Sequence, residues 1–146
     1  MILRLFVLTF FALFVGSCTP NTPNVASLHV HDPGEVMNKT WVWEKTVTPI
    51  ESLSVADSER YTIRFAENGH LEAKFDCNRG GGTYTLSEGR VSFGPLMSTR
   101  MACAEDSLDA VFMKDLQRAN SFFLQDGMLF LELPYDSGTM HFRALP

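Results

Sequence analysis

From Thr40 onward, apolar and polar residues alternate in short segments. In Tyr61–Phe65 the first, third and fifth residues are apolar or aromatic, and the two between them are polar. An alternation with a period of two is typical of a β-strand with one buried face. The segments 40–46, 71–75, 84–86, 91–93 and 139–142 share this pattern, and the apolar runs 122–124 and 128–133 are also interpreted as strands because they flank a turn. The chain is therefore predicted to form mainly β-strands.

Turn dipeptides separate these segments in pairs. Asn68-Gly69, Glu88-Gly89 and Asp126-Gly127 each lie between two of these segments, where such steps favour tight hairpin turns. Three hairpins in one short domain predict a meandering antiparallel sheet. Residues 47–58 are predicted as a long loop, and residues 80–82, which are all glycine, as a flexible turn.

One segment has the periodicity of a helix. Within residues 105–119, Leu108, Val111, Phe112 and Leu116 form one apolar stripe at a period of 3.6 residues. Acidic residues begin the segment and basic residues end it, which matches the helix dipole. An amphipathic helix of this kind needs a sheet to cover. The predicted fold is therefore α+β, a predominantly antiparallel curved sheet forming a partial barrel, with one packed α-helix.

The N-terminal residues form an apolar leader. Leu5–Val15 is an apolar run of about eleven residues preceded by Arg4, which suits a signal peptide and is too short to span a bilayer. The following residues, Val15-Gly16-Ser17-Cys18, resemble the lipobox of bacterial lipoproteins. This resemblance implies that residues 1–17 are a signal peptide that is removed. It also implies that Cys18 carries lipid, including palmitate. The alternative is an ordinary secretory leader with an incidental cysteine.

The residues after Cys18 bear on location. Thr19 stands where aspartate is associated with retention in the inner membrane, so the resemblance implies an outer-membrane lipid anchor with the domain facing the periplasm; exposure at the cell surface is the alternative. Residues 18–38 are predicted as the lipidated cysteine and a flexible tether, because they contain three prolines, three asparagines and few large apolar residues. His29 and His31 lie in this tether, and no metal site is predicted there.

Net charge excludes one class of partner. Removing the leader takes away one of the 12 basic residues and leaves 11 against 17 acidic ones, a net charge of −6. Nucleic-acid binding depends on basic side chains that neutralise phosphates. Nucleic acid is therefore not expected as a partner, and the mature chain is long enough for one domain only.

A set of spaced motifs resembles one known family. The motifs are Cys77-Asn78, Gly82, Tyr84, Phe93-Gly94-Pro95-Leu96 and Ser98-Thr99-Arg100-Met101-Ala102-Cys103. Their order and spacing resemble the META domain, also called the HslJ-like family, over about residues 38–145, so residues 39–146 are assigned to such a domain. The resemblance implies a small antiparallel β fold with a helix, and no established reaction. Asp76 departs from the family's usual glycine, which predicts that a positive φ is not needed there.

Cys77 and Cys103 are an even pair in a chain predicted to be exported to an oxidising compartment. A disulfide between them is therefore expected. Closing a loop of about 26 residues would stabilise the fold by roughly 3.5 kcal/mol. A reactive thiol pair is the alternative, although the spacing is not that of a CxxC motif.

Residues beside these cysteines form the candidate ligand face. Its members are Asn78, Gly82, Tyr84, Thr99 and Arg100. The amide of Asn78 and the guanidinium of Arg100 could bind a carboxylate or phosphate. Equally, these polar groups could satisfy the backbone of the loops around the disulfide, and the structural role is favoured.

No arrangement of residues points to catalysis. Ser98, Asp136 and His141 could in principle form a triad, but no nucleophile elbow surrounds the serine. We therefore predict no enzyme activity and no cofactor. The predicted function is a lipid-anchored envelope protein with a non-catalytic binding or structural role in envelope stress, whose partner is an envelope protein or a cell-wall polymer. The alternative is a carrier or sensor that holds a small apolar ligand inside the curved sheet.

Overall fold

The computed structural model describes residues 31–146. The predicted signal peptide, Cys18 and the first part of the tether lie outside these residues. The strands are β1 (Thr40–Val47), β2 (Ser52–Ser54), β3 (Tyr61–Phe65), β4 (His70–Phe75), β5 (Asn78–Ser87), β6 (Arg90–Phe93), β7 (Met97–Ser98), β8 (Ser121–Gln125), β9 (Met128–Leu133) and β10 (Gly138–Ala144). The helices are α1 (Pro33–Val36) and α2 (Asp109–Arg118), and short 3-10 turns cover Ser58–Arg60 and Pro134–Asp136.

Eight of the strands close into a barrel. Each is antiparallel to its neighbours in the order β1, β3, β4, β5, β6, β8, β9, β10, and β10 then pairs with β1 to complete the ring. The closing pair runs from Trp41 opposite Ala144 to Val47 opposite Thr139. The prediction of an antiparallel curved sheet is confirmed, but the barrel is closed and not partial. Pairing the two terminal strands satisfies backbone groups that an open sheet would leave exposed.

The three predicted hairpins are confirmed as β3–β4, β5–β6 and β8–β9. The segment predicted as one long loop also contains strand β2, which pairs with β1. Within residues 31–146, strands β6 and β8 are joined by a single residue pair, Arg90 with Ser121. The barrel wall is therefore thinnest there, on the two sides of the long connection that carries α2.

The glycines at 80–82 form strand and not a flexible turn. All three lie within β5, where Gly80 pairs with Ala73 of β4 on one side and with Ser98 of β7 on the other. A Cβ atom at Gly80 would lie 1.9 Å from the carbonyl oxygen of Met97, and one at Gly82 would lie 2.7 Å from that of Pro95. Glycine is needed here because the 95–98 backbone lies directly against β5.

Helix α2 is shorter than the predicted 105–119 segment. Its first turn is replaced by a tight turn in which the Ser107 amide donates to the Ala104 carbonyl, and the Tyr61 hydroxyl accepts from the Leu108 amide. Phe112 and Leu116 of the predicted stripe are fully buried. Val111 is 39% exposed, so it does not belong to the buried face.

Phe112 joins α2 to the barrel interior. Its ring stacks on Trp43 with centroids 4.8 Å apart, and it also contacts the rings of Tyr61, Phe75 and Phe142. These rings come from β1, β3, β4 and β10, which surround Phe112 on several sides. Helix α2 therefore closes one end of the barrel, called here the α2 end, which also carries the turns at 48–51, 76–77 and 134–137.

The opposite end, called here the α1 end, is closed by the N-terminal residues. Val36 is fully buried and its carbonyl accepts from the indole Nε1 of Trp41. His31 Nδ1 lies 3.0 Å from the carbonyl oxygen of Phe122. Residues 31–38, which the composition placed in the tether, thus pack against the barrel. Within residues 31–146 no helix is long and apolar enough to cross a membrane.

We expect Phe112→Ala to destabilise the domain by about 3–5 kcal/mol, because it removes a ring that fills the barrel interior. Val111→Ala is the matched control in the same helix, because this side chain is partly exposed and its truncation should change stability by less than about 1 kcal/mol. Urea denaturation followed by tryptophan fluorescence measures both. Equal effects of the two substitutions would contradict this account of the α2 face.

Candidate functional site

A disulfide joins the two signature loops. Cys77 follows β4 and Cys103 lies in the segment leading to α2, and their Sγ atoms are bonded with the Cα atoms 5.6 Å apart. The predicted pairing is therefore present. Because the bond ties the β4–β5 turn to the connection before α2, it fixes where the helix begins relative to the barrel wall.

Asn78 is the centre of the surrounding hydrogen bonds. Its side chain is almost fully buried. Its Oδ1 accepts from the Met101 amide at 2.8 Å and from the Thr99 hydroxyl at 2.9 Å, and its Nδ2 donates to the Met101 carbonyl at 3.1 Å and to Cys103 Sγ at 3.3 Å. All hydrogen-bonding capacity of the amide is therefore used inside the protein.

Thr99 continues this network to β5. Its hydroxyl accepts from the Arg79 amide at 3.1 Å, and its own amide donates to the Arg79 carbonyl at 3.0 Å. The backbone of Arg79 is thus held from both sides. The segment 99–103, which has no regular secondary structure, is positioned by the disulfide and by Asn78.

The other members of the predicted ligand face have separate locations. Tyr84 is buried, packs edge-on against Phe65 and donates its hydroxyl to the Ala66 carbonyl; burial raises the pKa of this phenol. Gly82 lies under the Pro95 backbone. Arg100 is exposed. The five residues therefore form no common pocket; the buried Asn78 and the exposed Thr99 belong to one hydrogen-bonded corner.

Asp76 has a left-handed backbone, with φ of 59°, so the expectation that this position needs no positive φ is wrong. Aspartate tolerates this conformation better than most residues. Its carboxylate is held by Arg60, whose Nε and Nη2 each donate to one oxygen at 2.6 Å. These bonds lower the pKa of Asp76. The sequence analysis missed Arg60, because this residue precedes β3 and is separated from Asp76 in the sequence by both β3 and β4.

The residues considered for catalysis are not brought together. Ser98 of β7 pairs with β5, whereas His141 lies in β10. Strands β5 and β10 are four places apart around the ring in either direction. Burial and Lys45 lower the pKa of His141, whose ring lies edge-on to Phe130. Within residues 31–146 no group of three or more His, Cys, Asp or Glu side chains is placed to hold a metal ion.

The outer wall of the barrel carries two neighbouring grooves. One, of about 700 Å³, lies over the glycines of β5 beside Leu71, Pro95 and Met97. The other, of about 260 Å³, is lined by charged residues of β3, β4 and β5. Glu72 and Gly80 border both grooves. The open binding space near the signature motifs therefore lies on the outer wall, beside the disulfide corner.

The model of one protein family matches most of the chain. It describes the META domain and matches residues 35–144. The protein belongs to the META domain family. The family resemblance seen in the motifs is thus confirmed, and the match begins inside the α1 segment. A comparison with curated proteins finds no match.

Solved structures similar to this META domain share its fold at low identity. A protein from Burkholderia xenovorans, determined by NMR, has a TM-score of 0.67 and 22% identity, covering 87% of this chain and 97% of its own. A second NMR structure has a TM-score of 0.59 and 23% identity, covering 77% and 93%. A crystal structure of a DUF4847 family protein from Bacteroides vulgatus has a TM-score of 0.57 and 12% identity, covering 74% and 93%. At these identities they support the fold alone.

Replacing both disulfide cysteines by serine should lower the free energy of unfolding by about 3.5 kcal/mol, the chain-entropy estimate for a loop of this length. Denaturant unfolding of the variant and of the oxidised protein measures the difference. Reduction of the unmodified protein should reproduce the loss. A variant as stable as the oxidised protein would show that Asn78 and its hydrogen bonds hold the corner without the covalent bond.

The ion pair of Asp76 predicts a pH-dependent stability difference. Asp76→Asn keeps a side chain suited to the left-handed backbone and removes the charge. Because the folded pKa of Asp76 is lowered, its contribution is present above the unfolded pKa of about 3.9 and is lost as the pH falls through the folded value. The variant should therefore be less stable than the unmodified protein at pH 7, with the difference shrinking as the pH falls below the unfolded pKa of about 3.9. Denaturation midpoints from pH 2.5 to 7 measure it, and a constant difference would contradict the ion-pair account.

Proposed function

We propose that this META domain protein is a lipid-anchored envelope protein that binds a partner protein and performs no reaction. The lipobox-like residues ending in Cys18 support the anchor. Membership in the META family supports an extracytoplasmic domain by resemblance. The arrangement of the two barrel ends supports a binding role, as follows.

The chain leading from the proposed anchor reaches the domain at the α1 end. His31 contacts the Phe122 carbonyl, and a Cβ atom at Gly89 would lie 3.1 Å from the His31 ring. The Asn38 side chain donates to Glu67 at the β3–β4 turn. A lipid on Cys18 would therefore hold the α1 end toward the membrane, at a distance limited to the thirteen residues before His31.

The α2 end, which would face away from the membrane, presents apolar side chains to solvent. Tyr135 and Ile50 are 98% and 91% exposed, in the β9–β10 and β1–β2 turns. Their chain neighbours Asp136 and Pro49 line one recess, so the two turns are adjacent. Met101 and Val111 are further exposed apolar residues of this end. Four of the six large exposed apolar residues within residues 31–146 thus lie at this end, whereas Met97 lies on the barrel wall and Leu145 lies beside Thr40 near the α1 end. This concentration is the observation that carries the proposal, because apolar surface patches often mark protein contacts.

The conformation of Tyr135 also favours a docking role. Tyr135 and Asp136 both have positive φ values, 60° and 53°. A bulky residue in this region is energetically unfavourable by about 1–2 kcal/mol. This backbone conformation places the Tyr135 ring in solvent, where it makes no contribution to the core. A partner that covers this ring would supply the reason for keeping it.

The alternative of an internal ligand carrier has less support. A carrier needs free volume inside the sheet, and the interior is occupied by Trp43, Phe112 and the rings around them. The cell-wall polymer remains a second candidate partner. We prefer a protein because the exposed residues of the α2 end include aliphatic side chains, which pack better against another protein than against a sugar chain.

Photo-crosslinking in cells tests the proposal. A benzoylphenylalanine residue at position 135 should give one discrete crosslinked product, because the α2 end is the docking surface. The same residue at Glu88, in the β5–β6 turn of the α1 end, is the matched control and should not give that product. In addition, Ile50→Ser should reduce the product from position 135 severalfold.

Two results would contradict the proposal. The first is the same set of products from positions 135 and 88, or none from 135, which would remove the α2 end as a docking surface. The second is equal membrane recovery and palmitate labelling of the unmodified protein and Cys18→Ser, which would remove the anchor while leaving the docking surface untouched.

A further inference from the structure

A cationic groove crosses the outer wall of the barrel, apart from the exposed apolar residues of the α2 end. Its volume is about 260 Å³, and its charged lining residues are Arg64, Glu72, Lys74 and Arg79. Three basic residues against one acidic residue give the groove a net charge of +2. The whole chain has a net charge of −5, so this groove has the opposite sign to its protein.

The two strands β4 and β5 place like charges opposite each other in the groove. Lys74 pairs with Arg79 in the β4–β5 register. Like charges directly opposite in an antiparallel pair are destabilising. The preceding strand pair shows the stabilising alternative, because Arg64 lies opposite Glu72 and the two side chains form an ion pair at 3.1 Å. The Lys74–Arg79 pairing therefore has no folding benefit of its own.

The remaining contacts leave one guanidinium available. Arg64 and Glu72 neutralise each other, and Lys74 Nζ donates to the carbonyl oxygen of Glu59 at 3.0 Å. The Arg79 side chain is exposed and makes no ion pair within residues 31–146. Its backbone, in contrast, is fixed on both sides by Thr99. The guanidinium of Arg79 is thus available to a ligand, while the backbone that carries it is fixed.

We propose that this groove binds a phosphate group through Arg79 and Lys74. A guanidinium donates two parallel hydrogen bonds to phosphate oxygens, and a lysine ammonium supplies a further donor. The hydroxyls of Thr40 and Thr62, which line the same groove, are neutral donors at its edge. A bound phosphate dianion would also relieve the Lys74–Arg79 repulsion. The phosphate comes either from a small solute or from a lipid headgroup.

Binding of inorganic phosphate to the full-length protein in uncharged detergent tests the site. Calorimetric titration at low salt should show binding that weakens as salt is added. Arg79→Gln and Lys74→Gln should each weaken it about tenfold, the effect of removing one charged hydrogen bond. Arg90→Gln is the matched control, because Arg90 is also an exposed strand arginine but lies outside the groove. Neither groove variant should lower the thermal denaturation midpoint, since each removes a repulsion.

Vesicles distinguish the two sources of phosphate. Cys18→Ser protein, which lacks the proposed anchor, is mixed with vesicles of phosphatidylglycerol or of phosphatidylcholine. The site is assigned to a lipid headgroup if the protein binds phosphatidylglycerol vesicles and not inorganic phosphate, and if Arg79→Gln abolishes that binding. The site is assigned to a solute if the protein binds inorganic phosphate. Equal binding of acetate, equal binding by Arg79→Gln, or no binding in either arm would overturn the proposal. None of these results depends on the docking surface of the α2 end.

Discussion

The pairing of β1 with β10 is the contact on which the rest of the structure depends. It joins the first and last strands of the barrel through six residue pairs and turns a meander of hairpins into a ring. Both strands contribute fully buried rings to the interior, Trp43 and Phe142, and each packs against Phe112 of α2. Closure also explains why helices are needed at the two ends, since a small barrel leaves its openings uncovered.

The disulfide corner controls how one of these ends is covered. The segment between β7 and α2 has little regular structure, and a loop of this kind would not by itself place Phe112 among the interior rings. The Asn78 side chain supplies hydrogen-bond partners for the backbone of that segment, and the disulfide fixes the position of the segment relative to the β4–β5 turn. The Asp76–Arg60 pair secures the adjacent turn in a backbone conformation that usually selects glycine. The polar residues Asn78 and Thr99 of the motif thus contribute to the fold.

Surface chemistry is distributed unevenly over this scaffold. Residues 31–38 pack on one end, most of the exposed apolar residues lie at the other, and the cationic groove occupies the wall between them. A barrel suits such a division, because its outward-facing side chains contribute little to the core and can vary independently. The strained Tyr135 turn and the opposed Lys74 and Arg79 are both features that the core does not require.

Local patterns in the sequence determined the eight strands of the barrel, the three turns, the helix that carries Phe112 and the pairing of Cys77 with Cys103, but not the short strands β2 and β7. Each depends on residues close in the chain or on a count of cysteines, so one sequence suffices. Only the tertiary structure decided that the sheet closes, that residues 80–82 are strand, that Asp76 is left-handed and that Arg60 is its partner. These outcomes depend on strand twist summed around eight strands and on contacts between distant segments. No local pattern records which carbonyl will lie 1.9 Å from a Cβ atom at Gly80, or which cations will face each other across β4 and β5.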